Sequence, residues 1–199
     1  MQKENVVLMK EAREALSGKW GVAVGGYFLY MLVTCGVGAF HKAGGILGFL
    51  ITGPMVLGMA AFSLTLARGK EASIAQLFSG FNEFIRALLA YLLMVVFILL
   101  WALLLIIPGI IAAFSYSQTF YILSEDKSIS ARDAIKKSKA MMMGNKKKLF
   151  YLSLRFLGWA ILCVFTFGIG FLWLMPYVQV TMAKFYDDIS KKPTEPVVA

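Results

Sequence analysis

This chain has few side chains that carry chemistry. Its 199 residues include one histidine, His41, and two cysteines, Cys35 and Cys163. A single histidine cannot build a multi-histidine metal cluster, and His41 reads as lying in a short outer loop with no carboxylate on its side, so no His–nucleophile pair is expected. No spacing of Cys, Asp or Glu supplies a metal-ligand set, and no glycine loop has the form that cradles phosphate. The expectation is therefore a protein that is not an enzyme, with no cofactor, no metal and no catalytic residue. His41 reads as an exposed loop residue. The two cysteines lie inside apolar runs and read as small buried hydrophobes, not as a disulfide.

Charge is also scarce. Charged residues make up 16% of the chain and hydrophobic ones 59%, with mean hydropathy +0.74. A soluble domain carries about 25% charged residues. No polar linker divides the chain, so residues 1–190 read as a single membrane domain. Residues 191–199, with Pro193 and Pro196, read as a disordered tail. The formal net charge is +9. In a soluble protein that would suggest nucleic acid. Here the basic residues flank apolar runs, which points to anionic lipid headgroups and to topology. The run Lys136, Lys137, Lys139, Lys146, Lys147 and Lys148 is the densest of these, and nucleic acid is not an expected partner.

What the chain has is length of apolar sequence. Ala87–Ser124 runs 38 residues without a charged side chain. One straight helix of that length would reach about 57 Å, and a bilayer core is about 30 Å thick. The stretch is thus too long for one span and suits two, with Pro108 and Gly109 as the hairpin turn. The whole chain reads as six spans, at about 20–40, 46–67, 87–107, 109–124, 149–167 and 171–186. Residues 41–45 read as a tight connection and Gly53-Pro54 as a kink. The 109–124 arm is short for a full crossing.

Three amphipathic segments alternate with these spans. Residues 5–17 place Leu8, Ala12, Ala15 and Leu16 on one face. Ser73 begins a segment with Gln76 as capping-box partner and Ile74, Leu77, Phe78, Phe81 and Phe84 at helical spacing. Ser130 with Asp133 begins another, with Ala131, Ala134, Ile135, Ser138 and Met142 on one face and Arg132, Lys136, Lys137 and Lys139 opposite. Gly18, Gly80 and Gly144, one in or after each segment, are 62 and 64 residues apart. The fold class is therefore all-α: a polytopic membrane protein with six transmembrane helices in three hairpins, inner-face amphipathic helices and a threefold internal repeat.

The positive-inside rule sets the orientation. With both termini inside, 18 of the 20 basic residues fall on the inner side. A single crossing by Ala87–Ser124 would export the eight basic residues between Lys127 and Lys148. Charge and length thus agree on a hairpin there.

Arg155 is the sharpest single residue, about two turns into the fifth span. A guanidinium at that depth costs several kcal/mol unless it snorkels or is paired. It reads either as snorkelling to the inner headgroups or as an anion or lipid-phosphate contact. Ser115, Tyr116, Ser117, Gln118 and Thr119, with Tyr177, Gln179 and Thr181 in the last span, form a second group. These residues serve either helix packing or a polar path.

The motifs Leu100-Trp101…Ile107-Pro108-Gly109, Ala134-Ile135-Lys136-Lys137-Ser138…Gly144-Asn145-Lys146 and Phe156-Leu157-Gly158-Trp159, with Trp173-Leu174-Met175-Pro176-Tyr177, give the chain a resemblance. It resembles the bacterial membrane family catalogued as domain of unknown function 975, over nearly its whole length. The resemblance implies a bacterial plasma-membrane protein and supplies no catalytic residues. Arg155 departs from the small or apolar residue expected there, so its role cannot be carried over. A weaker similarity, to the membrane region of some glycerophosphodiester phosphodiesterases, brings no counterpart of their catalytic domain. The functional expectation is a non-enzymatic membrane accessory or scaffold protein that binds lipid, another membrane protein or a second copy of itself. The alternative is a translocator of lipid or an amphipathic small molecule.

Overall fold

The structure, a computed structural model, describes residues 3–39 and 41–190, without the side chains of residues 37–39, 41–44 and 46. Long apolar runs without charge form helices, and no strand occurs among the described residues. The helices are α1 (Asn5–Leu16), α2 (Trp20–Ala39), α3 (His41–Ala67), α4 (Phe84–Leu104) and α5 (Ile106–Tyr116). They continue with α6 (Thr119–Glu125), α7 (Ala131–Met141), α8 (Lys146–Phe165) and α9 (Phe171–Ser190). A 3-10 helix, Ile74–Glu83, leads into α4. Four stretches are long and apolar enough to cross a membrane: Leu47–Ala67, Ile74–Leu104, Ile106–Glu125 and Lys146–Phe165. Trp20–Gly36 is a shorter apolar stretch, and α9 carries Lys184, Asp187 and Asp188 in its second half.

Three pairs of helices run antiparallel. In α2 and α3, Gly26 lies against the Phe62 ring, and Lys19 Nζ donates to the Gly69 carbonyl at 2.6 Å. In the second pair, Gly109 of α5 lies against Ala102 of α4. Phe97 meets Tyr116 with ring centroids 6.1 Å apart. Farther along, Arg86 donates to the Leu123 carbonyl at 2.6 Å. In the third, Gly170 abuts Cys163, Phe156 meets Tyr177 edge-on at 5.5 Å and Lys148 meets Asp188 at 2.6 Å. In each pair the numbers rise on one arm as they fall on the other.

The chain reverses at Leu105, not at Pro108-Gly109. Leu105 is extended, at φ −162° and ψ 145°, and α5 begins with Ile106. Pro108 belongs in the first turn of α5 because a helix's first amides lack acceptors, so a missing N–H costs nothing there. Gly109 serves the crossing: a Cβ there would come within 2.8 Å of the Ala102 Cα. With the turn moved back, the second arm gains length. It runs from Ile106 to Glu125 as α5 and α6, enough to cross.

The segment after Ser73 is a 3-10 helix instead of an amphipathic α-helix. Three residues per turn align every third side chain in one row. Leu77 and Gly80 form the inward row and are buried. Phe78, Phe81 and Phe84 form an outer ladder, with centroids 6.3 and 6.5 Å apart. Phe78 and Phe81 are exposed, so the expected single apolar face is divided between two. The inward row reaches the α3 backbone: a Cβ on Gly58 would overlap the Leu77 carbonyl, and one on Gly80 the Pro54 carbonyl. Ser73 caps through the Ala75 amide at 3.3 Å. The buried Gln76 Oε1 accepts no hydrogen bond, so the expected capping box is not closed.

The other two amphipathic helices follow their patterns. Leu8, Ala12 and Leu16 of α1 are fully buried. Ala131, Ala134, Ile135 and Ser138 of α7 are buried, as is Met142, while Arg132, Lys136, Lys137 and Lys139 are exposed. Ser130 Oγ accepts the Asp133 amide at 3.1 Å and donates to its carboxylate at 2.6 Å. Gly18 and Gly144 are left-handed, at φ 74° and 76°. Each ends one helix so that the next can begin at a new angle. Gly80 has no such φ and is instead a packing glycine.

Several smaller expectations change. Residues 41–45 lie in α3, not in a connecting loop. The side chain of His41 and residues 191–199 lie outside the described residues. Helix α3 continues through Pro54. Both cysteines are free, but Cys35 is exposed and Cys163 half-buried. Cys35 lies on the outer surface of α2 and Cys163 faces Gly170, just before α9, so an apolar neighbourhood in sequence did not mean full burial.

Candidate functional site

One end of the molecule gathers its charge. Arg68, just beyond α3, pairs with Asp187 of α9 at 2.6 Å and with Glu125 of α6. Tyr186 donates to the other Glu125 oxygen at 2.6 Å. Hydrogen bonds from the guanidinium to Asp187 hold the Arg68 pKa above its ordinary value. These contacts bind the ends of three hairpins together and use up the groups involved.

The open site lies beside this end. A cavity of about 630 Å³ is lined by the start of the chain, Lys3 to Val6, and by Lys148, Tyr151, Leu154 and Arg155 of α8. Helix α1 is held against α8 where Asn5 Nδ2 donates to the Lys148 carbonyl at 2.9 Å. It is held against α9 where the Tyr177 hydroxyl donates to the Met9 carbonyl at 3.0 Å. Leu8, Ala12 and Leu16 supply the apolar side of that docking. The result is a cleft between α1 and α8, with α9 beneath.

Three cations line the cavity: Lys3, Lys148 and Arg155. Two have anionic partners. Lys148 meets Asp188, whose side chain is 6% exposed, and Lys3 meets Glu11. Arg155 is exposed and has no ion pair among the described residues. Its guanidinium offers a planar fork of donors, suited to a carboxylate or phosphate. Asn5 Oδ1 is buried without a hydrogen bond. The chemistry on offer is non-covalent: charge-assisted hydrogen bonding of an anion at the edge of an apolar surface.

A second cavity, of about 240 Å³, also takes lining from α1 and α8. It is lined by Arg13, Trp20, Trp159, Cys163, Gly170, Trp173, Leu174 and Tyr177. Tyr151, Arg155 and Trp159 follow at i, i+4 and i+8 and so share one face of α8.

The other sequence-selected residues fall elsewhere. Ser115, Tyr116, Gln118 and Thr119 are buried at the break between α5 and α6. Ser115 donates to the Ile111 carbonyl, Ser117 to Phe114 and Thr119 to Tyr116. These back-bonds compete with the helix ladder and loosen it. Ser138 of α7 fills the gap, donating to the Ser115 carbonyl at 2.8 Å and accepting the Gln118 amide at 3.2 Å. Thr181 bonds back to the Tyr177 carbonyl at 2.8 Å. Gln179 meets the Tyr121 hydroxyl at 3.5 Å. Ser115–Thr119, Gln179 and Thr181 thus brace and join helices and do not converge on a cavity, whereas Tyr177 lines the second cavity. Of the basic run, Lys148 alone lines the cleft, and Lys136, Lys137, Lys139 and Lys147 are exposed.

Sequence reasoning singled out Arg155, Lys148 and Tyr177 but missed Lys3 and Asn5 in the first cavity and Arg13, Trp20, Trp159 and Trp173 in the second. The Tyr151–Arg155–Trp159 spacing was a readable signal. The pairing of α1 with α8 was not, because nothing local links residues so distant.

No curated protein and no solved structure matches the chain significantly. The family described as "Protein of unknown function (DUF975)" matches residues 1–111 and 102–193. With almost all of its length covered by that match, the chain belongs to the DUF975 family.

Proposed function

We propose that this protein is a non-enzymatic accessory or scaffold protein of the bacterial plasma membrane, and that it holds anionic phospholipid in the cleft between α1 and α8. Its helices cross the bilayer six times as three hairpins, with both termini cytoplasmic. The hairpins derive from a threefold repeat. In support, Asn5, Gly18, Trp20 and Ala39 correspond at one constant offset to Ala131, Gly144, Lys146 and Phe165, which bound α7 and α8. The middle unit has diverged into the 3-10 form.

The observation that carries the reading is Arg155. It is a guanidinium without an ion pair among the described residues, in a cavity lined also by Lys3, Lys148 and one carboxylate, Glu4. A phospholipid phosphate would supply the missing counter-charge. The exposed Phe78–Phe81 ladder and the lysines of α7 suit the cytoplasmic headgroup layer. Leu57, Leu77, Ile122 and Phe185, from elements of all three hairpins, belong to one buried apolar cluster. That packing favours holding lipid over translocating it.

Native mass spectrometry of the purified protein, titrated with phosphatidylglycerol or phosphatidylcholine, tests the reading. Phosphatidylglycerol should be retained preferentially. Arg155→Gln should lower that retention several-fold, and Arg155→Lys should keep most of it. Equal retention of both lipids, unchanged in Arg155→Gln, would overturn the proposal.

A further inference from the structure

The second cavity plays no part in holding a headgroup at Arg155. Three of the chain's four tryptophans, Trp20, Trp159 and Trp173, come from three different helices and line one cavity. Tyr177 joins them, fixed by its hydrogen bond to the Met9 carbonyl. The Arg13 guanidinium lies over its ring, 5.9 Å from the centroid. Trp159 and Trp173 are each about half exposed, so the cavity opens toward the surroundings of the helices. Indole and phenol rings present rigid apolar walls with polar edges, suited to an amphiphile.

Position relates this cavity to the first. Arg155 and Trp159 are one helical turn apart on the same face of α8, about 6 Å along its axis. Arg13 adds a cation to the wall of the second cavity. The volume, about 240 Å³, is below the roughly 300–1,000 Å³ of a whole small-molecule site. It suits a segment of one hydrocarbon chain and not two.

We infer that the two cavities are the two ends of one site, which seats a single acyl chain of an anionic phospholipid against Trp20, Trp159, Trp173 and Tyr177 while its phosphate faces Arg155. The second chain stays in the bilayer. This rests on the lipid-holding reading and deepens it, because it specifies how the lipid is oriented and which chain is sequestered.

The fourth tryptophan supplies the control. Trp101 lies on the exposed surface of α4, outside the cleft. The test is fluorescence quenching of the purified full chain in detergent micelles by phosphatidylglycerol brominated on its acyl chains. In Trp101→Phe only the cleft tryptophans report. Their quenching should saturate at low lipid fraction and exceed that by brominated phosphatidylcholine several-fold. In the Trp20→Phe, Trp159→Phe, Trp173→Phe triple variant only Trp101 reports. Its quenching should rise in proportion to lipid fraction and show no headgroup preference. Trp101→Phe leaves the cleft intact, so a folding defect in the triple variant does not remove the test. If Trp101→Phe shows unsaturable quenching while native mass spectrometry still retains phosphatidylglycerol, the chain lies elsewhere. The inference then fails and the headgroup reading stands. If phosphatidylglycerol is not retained at all, both fail.

Discussion

The Ser138 hydroxyl of α7 donates to the Ser115 carbonyl of α5 at 2.8 Å, inside the break that separates α5 from α6. The same oxygen accepts the Gln118 amide. One side chain on a surface helix therefore satisfies both sides of an interruption in an apolar hairpin arm. Ser138 is fully buried, and water cannot easily replace it. Ser138→Ala should lower stability by about 1–3 kcal/mol, the cost of leaving buried polar groups unpaired. Thermal unfolding in detergent measures this. An unchanged melting temperature would show that the break satisfies itself.

The 3-10 helix gives a second prediction. Gly58 lets the Leu77 carbonyl approach the α3 backbone, whereas Gly25 of α2 has open space where a Cβ would stand. Gly58→Ala must push the two elements apart and should cost about 1–3 kcal/mol or more. Gly25→Ala should be neutral or slightly stabilising. A pair of unfolding curves that fail to separate the two variants would refute the close contact.

Arg68 joins Asp187 and Glu125, but these groups are partly exposed. Exposed ion pairs contribute about 0–1 kcal/mol each and are screened by salt. Arg68→Gln should therefore destabilise modestly at low ionic strength and less at high salt. A loss that does not change with salt would assign Arg68 a packing role instead.

Orientation is open to labelling. In a Cys35→Ser, Cys163→Ser background, Ser128→Cys lies between α6 and α7, and Phe167→Cys lies at the tip of the α8–α9 hairpin. In intact cells an impermeant maleimide should reach position 167 directly and position 128 only after permeabilisation. Labelling of both from the same side would refute the three-hairpin crossing.

These tests bear on different degrees of legibility. The apolar runs and the Leu8–Ala12–Leu16 face could be read directly, because helical periodicity and burial coincide in them. The Pro108-Gly109 turn was misplaced by three residues because proline tolerates two roles, turn residue and first-turn residue, and only packing against Ala102 decides. The helix type of Ile74–Glu83 was misread because Leu77 and Phe81, four apart, suit an α-helix. Leu77 and Gly80, three apart, reveal the 3-10 row only once α3 lies against them. Arg155 stood out by its cost in an apolar run, but its surroundings depend on α1 docking beside α8. That is tertiary structure without a local trace.

The charged contacts described among these residues collect at one end of the bundle or on α1 and α7. At the opposite end no ion pair is found among the described residues: Ala102 packs against Gly109, and the α8–α9 tip closes where the Gly170 amide donates to Thr166 Oγ1 at 3.0 Å. The two rims therefore answer to different conditions. Added salt screens the charged rim and leaves the other, which has no ion pair to screen, as it was.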